Sequence, residues 1–187
     1  MNTQQLTTLK AAVLASQDQA IQAAAASRND TELAKLLNLP STFSVWRYDV
    51  PTSELVGAIK LANFTPIDAP DDTLLYNNRC AICELKQNNI RLLFARESIT
   101  AQKLSTRQDL IDALTNVPAG VGGAAIDAGW LGNGKVKATI TRFATVAEKV
   151  FATGTGSAGV PGDLGVQDGA VIQGDVTIDD IGRMWNL

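Results

Sequence analysis

Apolar residues recur along the first part of the chain at the three- and four-residue spacing of an amphipathic helix. Leu6, Leu9, Val13, Ala20, Ile21 and Ala24 fall on one stripe and predict a single N-terminal helix with Thr3 as its N-cap. Asn29 and Glu32 then stand at capping-box spacing ahead of a second helix that buries Leu33, Leu36 and Leu37 and stops before Pro40. Together they predict a helical hairpin. In "TFSVWRYDV" the spacing changes to two: Trp46, Tyr48 and Val50 alternate with Arg47 and Asp49, as in a half-buried strand or a short extended linker. Pro51 introduces a short helix around residues 53–61.

A longer helix is expected from Asp71, with Leu75, Ile82, Leu85, Asn89 and Leu93 near one stripe and Asp71 and Asp72 favouring its N-terminus. Asn88-Asn89 and "IRLLF" leave open a turn into a strand in its second half. Ser105 and Gln108 form another capping-box pair before "DLIDAL", and residues 116–123 read as a loop. The most regular pattern is Val136, Ile140, Phe143, Ala147 and Val150. It predicts one amphipathic helix from near Asn133 to a C-cap at Gly154, whose outer side carries Lys135, Lys137, Arg142 and Lys149 against Glu148.

Beyond this point the periodicity breaks. Eight of the fifteen glycines lie from Gly154 onward, and five aspartates there face a single Arg183. Asp168-Gly169 between short apolar runs signals a two-residue hairpin, and Thr177 with Asp180 a cap for a last short helix. The expected fold is therefore mainly α: a compact helical body, residues 1–153, and a glycine-rich extended C-terminal arm, residues 154–187, carrying a β-hairpin and a terminal helix. Gly154, Gly156 and Gly159 are its expected hinge, and Ile178, Ile181 and Trp185 an apolar tip suited to binding a partner.

Composition narrows the chemistry. The 187 residues are 45% hydrophobic and 19% charged with a net charge of -3, so the chain as a whole is no polyelectrolyte for nucleic acid. Histidine is absent, which removes the commonest base near neutral pH, the commonest zinc ligand and every Ser-His or Cys-His nucleophile. The G-x-G-x-x-G spacing of Gly154, Gly156 and Gly159 fits a dinucleotide loop only where a strand leads in and a helix follows. Here the predicted order is reversed. Cys80 and Cys83 form a C-x-x-C, but inside a predicted helix, where two small apolar side chains one turn apart are the simpler explanation. The four cations of 135–149 could touch DNA phosphates, face the acidic arm of a neighbouring copy, or form a solvated helix face, which is the ordinary case. No catalytic, cofactor-binding or metal-binding residue is assigned. Met1-Asn-Thr-Gln-Gln lacks the features of a secretion signal, and the longest run of small apolar residues, 23–26, is too short for a bilayer; synthesis in the cytoplasm and no membrane contact are expected.

Two stretches carry a family resemblance. "FSVWRYDV" with the following Pro51-Thr-Ser-Glu-Leu, and "RFATVAEKVFATGTGSAGVPGDLGVQDGAV" from Arg142, resemble small virion structural proteins of tailed bacteriophages, of the head-to-tail (neck) adaptor type. Residues 97–129 make a longer connection than the resemblance implies. What it implies is a largely helical homo-oligomer made in the host cytoplasm. It would form a ring, often a dodecamer, in the virion neck, with extended arms reaching neighbouring subunits. Its partners would be the portal, the tail-side neck proteins and, non-specifically, packaged DNA. No catalytic residues and no cofactor accompany the family. A capsid decoration or cement protein is the second reading, and a nucleotide- or metal-dependent enzyme a more distant third.

Overall fold

The computed structural model describes residues 1–68, 75–131, 135–157, 159–164 and 175–187. These are mainly α-helical, with short two-stranded sheets. The chain forms two compact units, one from Met1–Val45 with Phe143–Leu187 and one from Trp46–Arg142. The division thus falls elsewhere than the expected boundary at 153/154.

The first unit brings the two ends of the chain together. Helix α1, Thr3–Leu14, starts at Asn2 rather than Thr3, because Asn2 and Gln5 bond each other's backbone in a capping box. The expected single helix is two. Asp18 accepts from the amides of Ala20 and Ile21 and starts α2, Gln19–Ala26, afresh after a break that the apolar spacing does not register. Asn29 caps α3, Asp30–Leu37, by accepting from Glu32; Leu33 and Leu37 are buried and Leu36 half-buried. Strand β1, Pro40–Trp46, follows, so the extended stretch ends earlier than the alternation suggests and Tyr48 is exposed.

The second unit opens with β2, Val50–Pro51, and α4, Thr52–Val56, shorter than expected and followed by a 3-10 turn at Leu61–Phe64. Helix α5, Tyr76–Leu93, is continuous, with no turn into a strand at Asn88-Asn89. Its buried positions are Arg79, Cys83 and Ile90 rather than the leucine stripe. Strand β3, Ser98–Ile99, pairs antiparallel with β2, and α6, Leu104–Leu114, packs on α5. The expected Ser105 cap is absent: Ser105 lies inside α6, and Gln108 instead bonds Asp112 at 2.9 Å. The 116–123 loop contains a 3-10 turn at Val121–Gly123 and is closed by a Val117–Ile126 bridge. The core gathers Val50, Leu55, Phe64, Leu110, Leu114 and Ile140. Two buried arginines serve it. Arg79 donates to the carbonyls of Ile67 at 2.6 Å and Gly120 at 3.3 Å, while Arg107 donates to Ala101 and Gln102 and lies over the Trp46 ring.

The expected helix from 133 to 154 is replaced by three elements: α7, Val136–Thr139, β4, Thr141–Thr145, and α8, Val146–Phe151. The reason is visible in the cores. Val136 and Ile140 belong to the second unit's core, Ala147 and Val150 pack in the first unit's, and Phe143 between them is exposed. Thr145 and Glu148 form a capping box that starts α8 independently. Strand β4 pairs with β1, so the chain leaves and re-enters the first unit along neighbouring strands. Strands β5, Ala152–Thr153, and β6, Asp163–Leu164, then pair antiparallel, and α9, Ile178–Trp185, ends the chain.

Candidate functional site

The expected arm tip is a structural element of the first unit. Thr177 and Asp180 form the anticipated capping box, and burial of Ile181 and Met184 packs α9 on α1 and α3. Asn38, at the C-terminal end of α3, fixes the approach: its side-chain amide donates to the Val176 carbonyl at 2.9 Å, and its side-chain oxygen accepts from the Val176 amide at 2.8 Å. Trp185 is half-buried, donates Nε1–H to Asp30 at 3.0 Å and lies under the Arg28 guanidinium at 4.3 Å. Of the three predicted binding residues, Ile181 is buried, Trp185 is partnered within the unit, and Ile178 is 53% exposed. Burial by itself would raise the Asp180 carboxyl, but hydrogen bonds from the Met1 amine and from Thr177 outweigh it and hold the group below the usual aspartate range.

The predicted hinge is built into the same unit. Gly154 follows β5 rather than capping a helix, and its φ of 90° turns the chain. Gly156 has a φ of 61°, its carbonyl accepts from the Ser44 amide at 2.7 Å, and a Cβ there would stand 2.2 Å from the Phe43 ring. Gly162 donates to the Ser44 carbonyl at 2.8 Å. The segment therefore folds back along β1 instead of leaving as an arm. Gly159 lies in a bend with open space where a Cβ would stand. No helix starts between Gly159 and Leu164, so the flanks of a dinucleotide loop are missing among the described residues. The Asp168-Gly169 hairpin lies outside the described residues, as do Asp71, Asp72 and Asn133.

The four predicted cations do not share a helix face. Lys135 precedes α7 with a φ of 63°, Lys137 lies within α7, Arg142 in β4 and Lys149 on α8; the first three belong to the second unit and Lys149 to the first. Cys80 and Cys83 are on α5, half-buried and buried. Burial first, and the neighbouring Cys80 second, push the Cys83 thiol up, against the direction a redox nucleophile needs. Among the described residues no group of three His, Cys, Asp or Glu side chains could hold a metal, and no helix is long and apolar enough to cross a membrane.

Two surfaces escaped the sequence reading. Of the stripe expected on α5, Ile82 and Leu93 are half-buried, Leu93 against the core, while Leu75 is 70% exposed and Leu85 61%; Leu92, outside that stripe, is 72% exposed. The second is an apolar groove of about 250 Å³ in the first unit, among Leu9, Val13, Ile21, Val146 and Val150, with Lys149 as its charged lining residue. A more polar cleft of about 610 Å³ in the second unit, lined by Arg96, Thr100, Lys103 and Asp109 among others, balances cations with carboxylates. Comparison of the chain with models of known protein families, with curated proteins and with solved structures gave no match.

Proposed function

We propose that this chain is a structural protein of a tailed-bacteriophage virion, a head-to-tail adaptor whose copies form a ring in the neck between the portal and the tail-side proteins. The observation that supports this reading is that the start of the first stretch carrying the resemblance, residues 43–45, meets the glycine segment of the second, far away in sequence, within the first unit. Phe43, Ser44 and Val45 of the first pack against and bond to Gly156 and Gly162 of the second, beside the β1 and β4 pair. The longer connection, 97–129, lies wholly in the intervening second unit.

The role is one of binding, without chemistry on a substrate. Because the apolar side of α9 is used within its own unit, contacts to neighbours and portal run through the exposed apolar surfaces instead of a free arm tip. Any contact with packaged DNA is weak and strongly salt-dependent, since the four cations are dispersed over three elements and two units. Mixing the purified protein with a matching portal and imaging the product by electron microscopy tests the reading. A ring on the portal's tail-side face is expected. If the protein instead decorates the capsid lattice in hundreds of copies per particle, the cement role replaces the neck role.

A further inference from the structure

We infer that copies of this chain associate head to tail, with the outer face of α5 in one copy seating its leucines in the apolar groove between α1, α2 and α8 of the next. The setting rests on the ring reading, but the contact is argued from the two surfaces alone. Helix α5 is 18 residues long, and a strip of its exposed positions, Asn77, Asn78, Ala81, Leu85, Asn88 and Leu92, is uncharged, with Glu84 and Arg91 beside it. Interface cores are depleted of charge in this way, whereas solvated helix faces are not. The charged side chains on that exposed face are Glu84 and Arg91; Lys86 is turned inward, donating to the carbonyls of Asp112 and Thr115.

The groove offers the matching features. At about 250 Å³ it is small for a cofactor-sized ligand and suited to one or two aliphatic side chains. Lys149 lines it, opposite in sign to Glu84. Asp18 stands between the lining residues Ser16 and Ile21, opposite in sign to Arg91. Glu84 and Arg91 are two helical turns apart, roughly 10 Å along the helix, so the orientation that brings Glu84 to Lys149 differs from the one that brings Arg91 there, and only the first pairs opposite charges. A helix face of one copy seated in a groove of another is a heterologous contact, the kind from which rings and filaments are built.

Sedimentation velocity of the full chain over a concentration series tests this. Reversible self-association is expected, abolished by Leu85→Asp. It should weaken about tenfold with Glu84→Lys or Lys149→Glu alone and recover in the double charge exchange. All three positions are exposed or at a rim, and unchanged circular dichroism separates loss of contact from loss of fold. A monomer at every concentration up to about 1 mM, association indifferent to these substitutions, or a groove filled by a co-purified apolar molecule or another protein with association unaltered would each overturn the inference. Rings on the portal that ignore the substitutions would sink this contact and leave the adaptor reading standing. Association that follows the charge exchange, in a protein that never engages portal, would do the reverse.

Discussion

Arg79 shows how a polar letter in the sequence can be a core residue in the fold. Its side chain is fully buried, and its guanidinium donates to the carbonyls of Ile67 and Gly120, the latter also accepting from the Gly123 amide. Replacing it by Met keeps most of the volume but removes the donor to the Ile67 carbonyl and one of the two donors to the Gly120 carbonyl. Arg79→Met is expected to lower stability by about 3 kcal/mol, read as a shift of the urea midpoint at unchanged slope. Asp180 makes the opposite kind of contribution, one that depends on pH. Its folded-state pKa lies below the unfolded value, so its stabilisation is complete above the ordinary aspartate pKa and disappears as pH falls through the lower, folded value. Asp180→Asn should therefore cost about 1 kcal/mol at neutral pH, a difference that shrinks as pH falls below the ordinary aspartate range. Thermal melts of the two proteins across that range check the sign.

At the scale of the element, neither caps nor periodicity suffices alone: the Thr3 and Ser105 caps are not used, and the run from Val136 to Val150 is not one helix. Asn29 and Thr177 start helices where the sequence places them. Thr145 and Glu148 have the same spacing and start α8, yet the longer run of Val136, Ile140, Phe143, Ala147 and Val150 hides them. That run fits a helix because a three-to-four spacing can be assembled from residues of two different cores, and no single-chain pattern records which core a residue enters. The stripe expected on α5 splits between half-buried and exposed positions for a related reason: a pattern gives a face and leaves its neighbour unspecified. The glycines illustrate the remaining gap. Their spacing suggested freedom, whereas Gly156 is required by the Phe43 ring that lies on it. Gly156→Ala should destabilise the first unit by at least about 2 kcal/mol, with positive φ and overlap both contributing. Trimming the ring in Phe43→Ala should recover part of that loss in a double-mutant cycle of urea midpoints. Thr145→Ala should cost about 1 kcal/mol through the lost α8 cap.

For the whole molecule, the docking of α9 changes what a truncation does. A free arm could be removed without harm to the body, but α9 covers apolar positions of α1 and α3, and Ile181 and Met184 each contribute roughly 2 kcal/mol by burial. Deleting residues 176–187 should therefore unfold or aggregate the first unit. The indole groups make the outcome readable, because Trp46 and Trp130 are in the core of the second unit and Trp185 is lost with the deletion. Retained emission from the remaining two indoles, with a cooperative urea transition but reduced helicity, is the expected result. A fully helical, monomeric truncated protein would mean that α9 adds little.

The pairing of β1 with β4 also sets an order in time. A ribosome that has released residue 142 has delivered all of the second unit, while α1, α2 and α3, made first, still lack the strands and the helix that cover them. Those three helices must wait through the synthesis of the second unit before α9 arrives. During that interval their apolar sides are open to chaperones, or to the same helices on a neighbouring nascent chain of a crowded polysome. Of the two units, the one whose helices are made first is thus the last to become native.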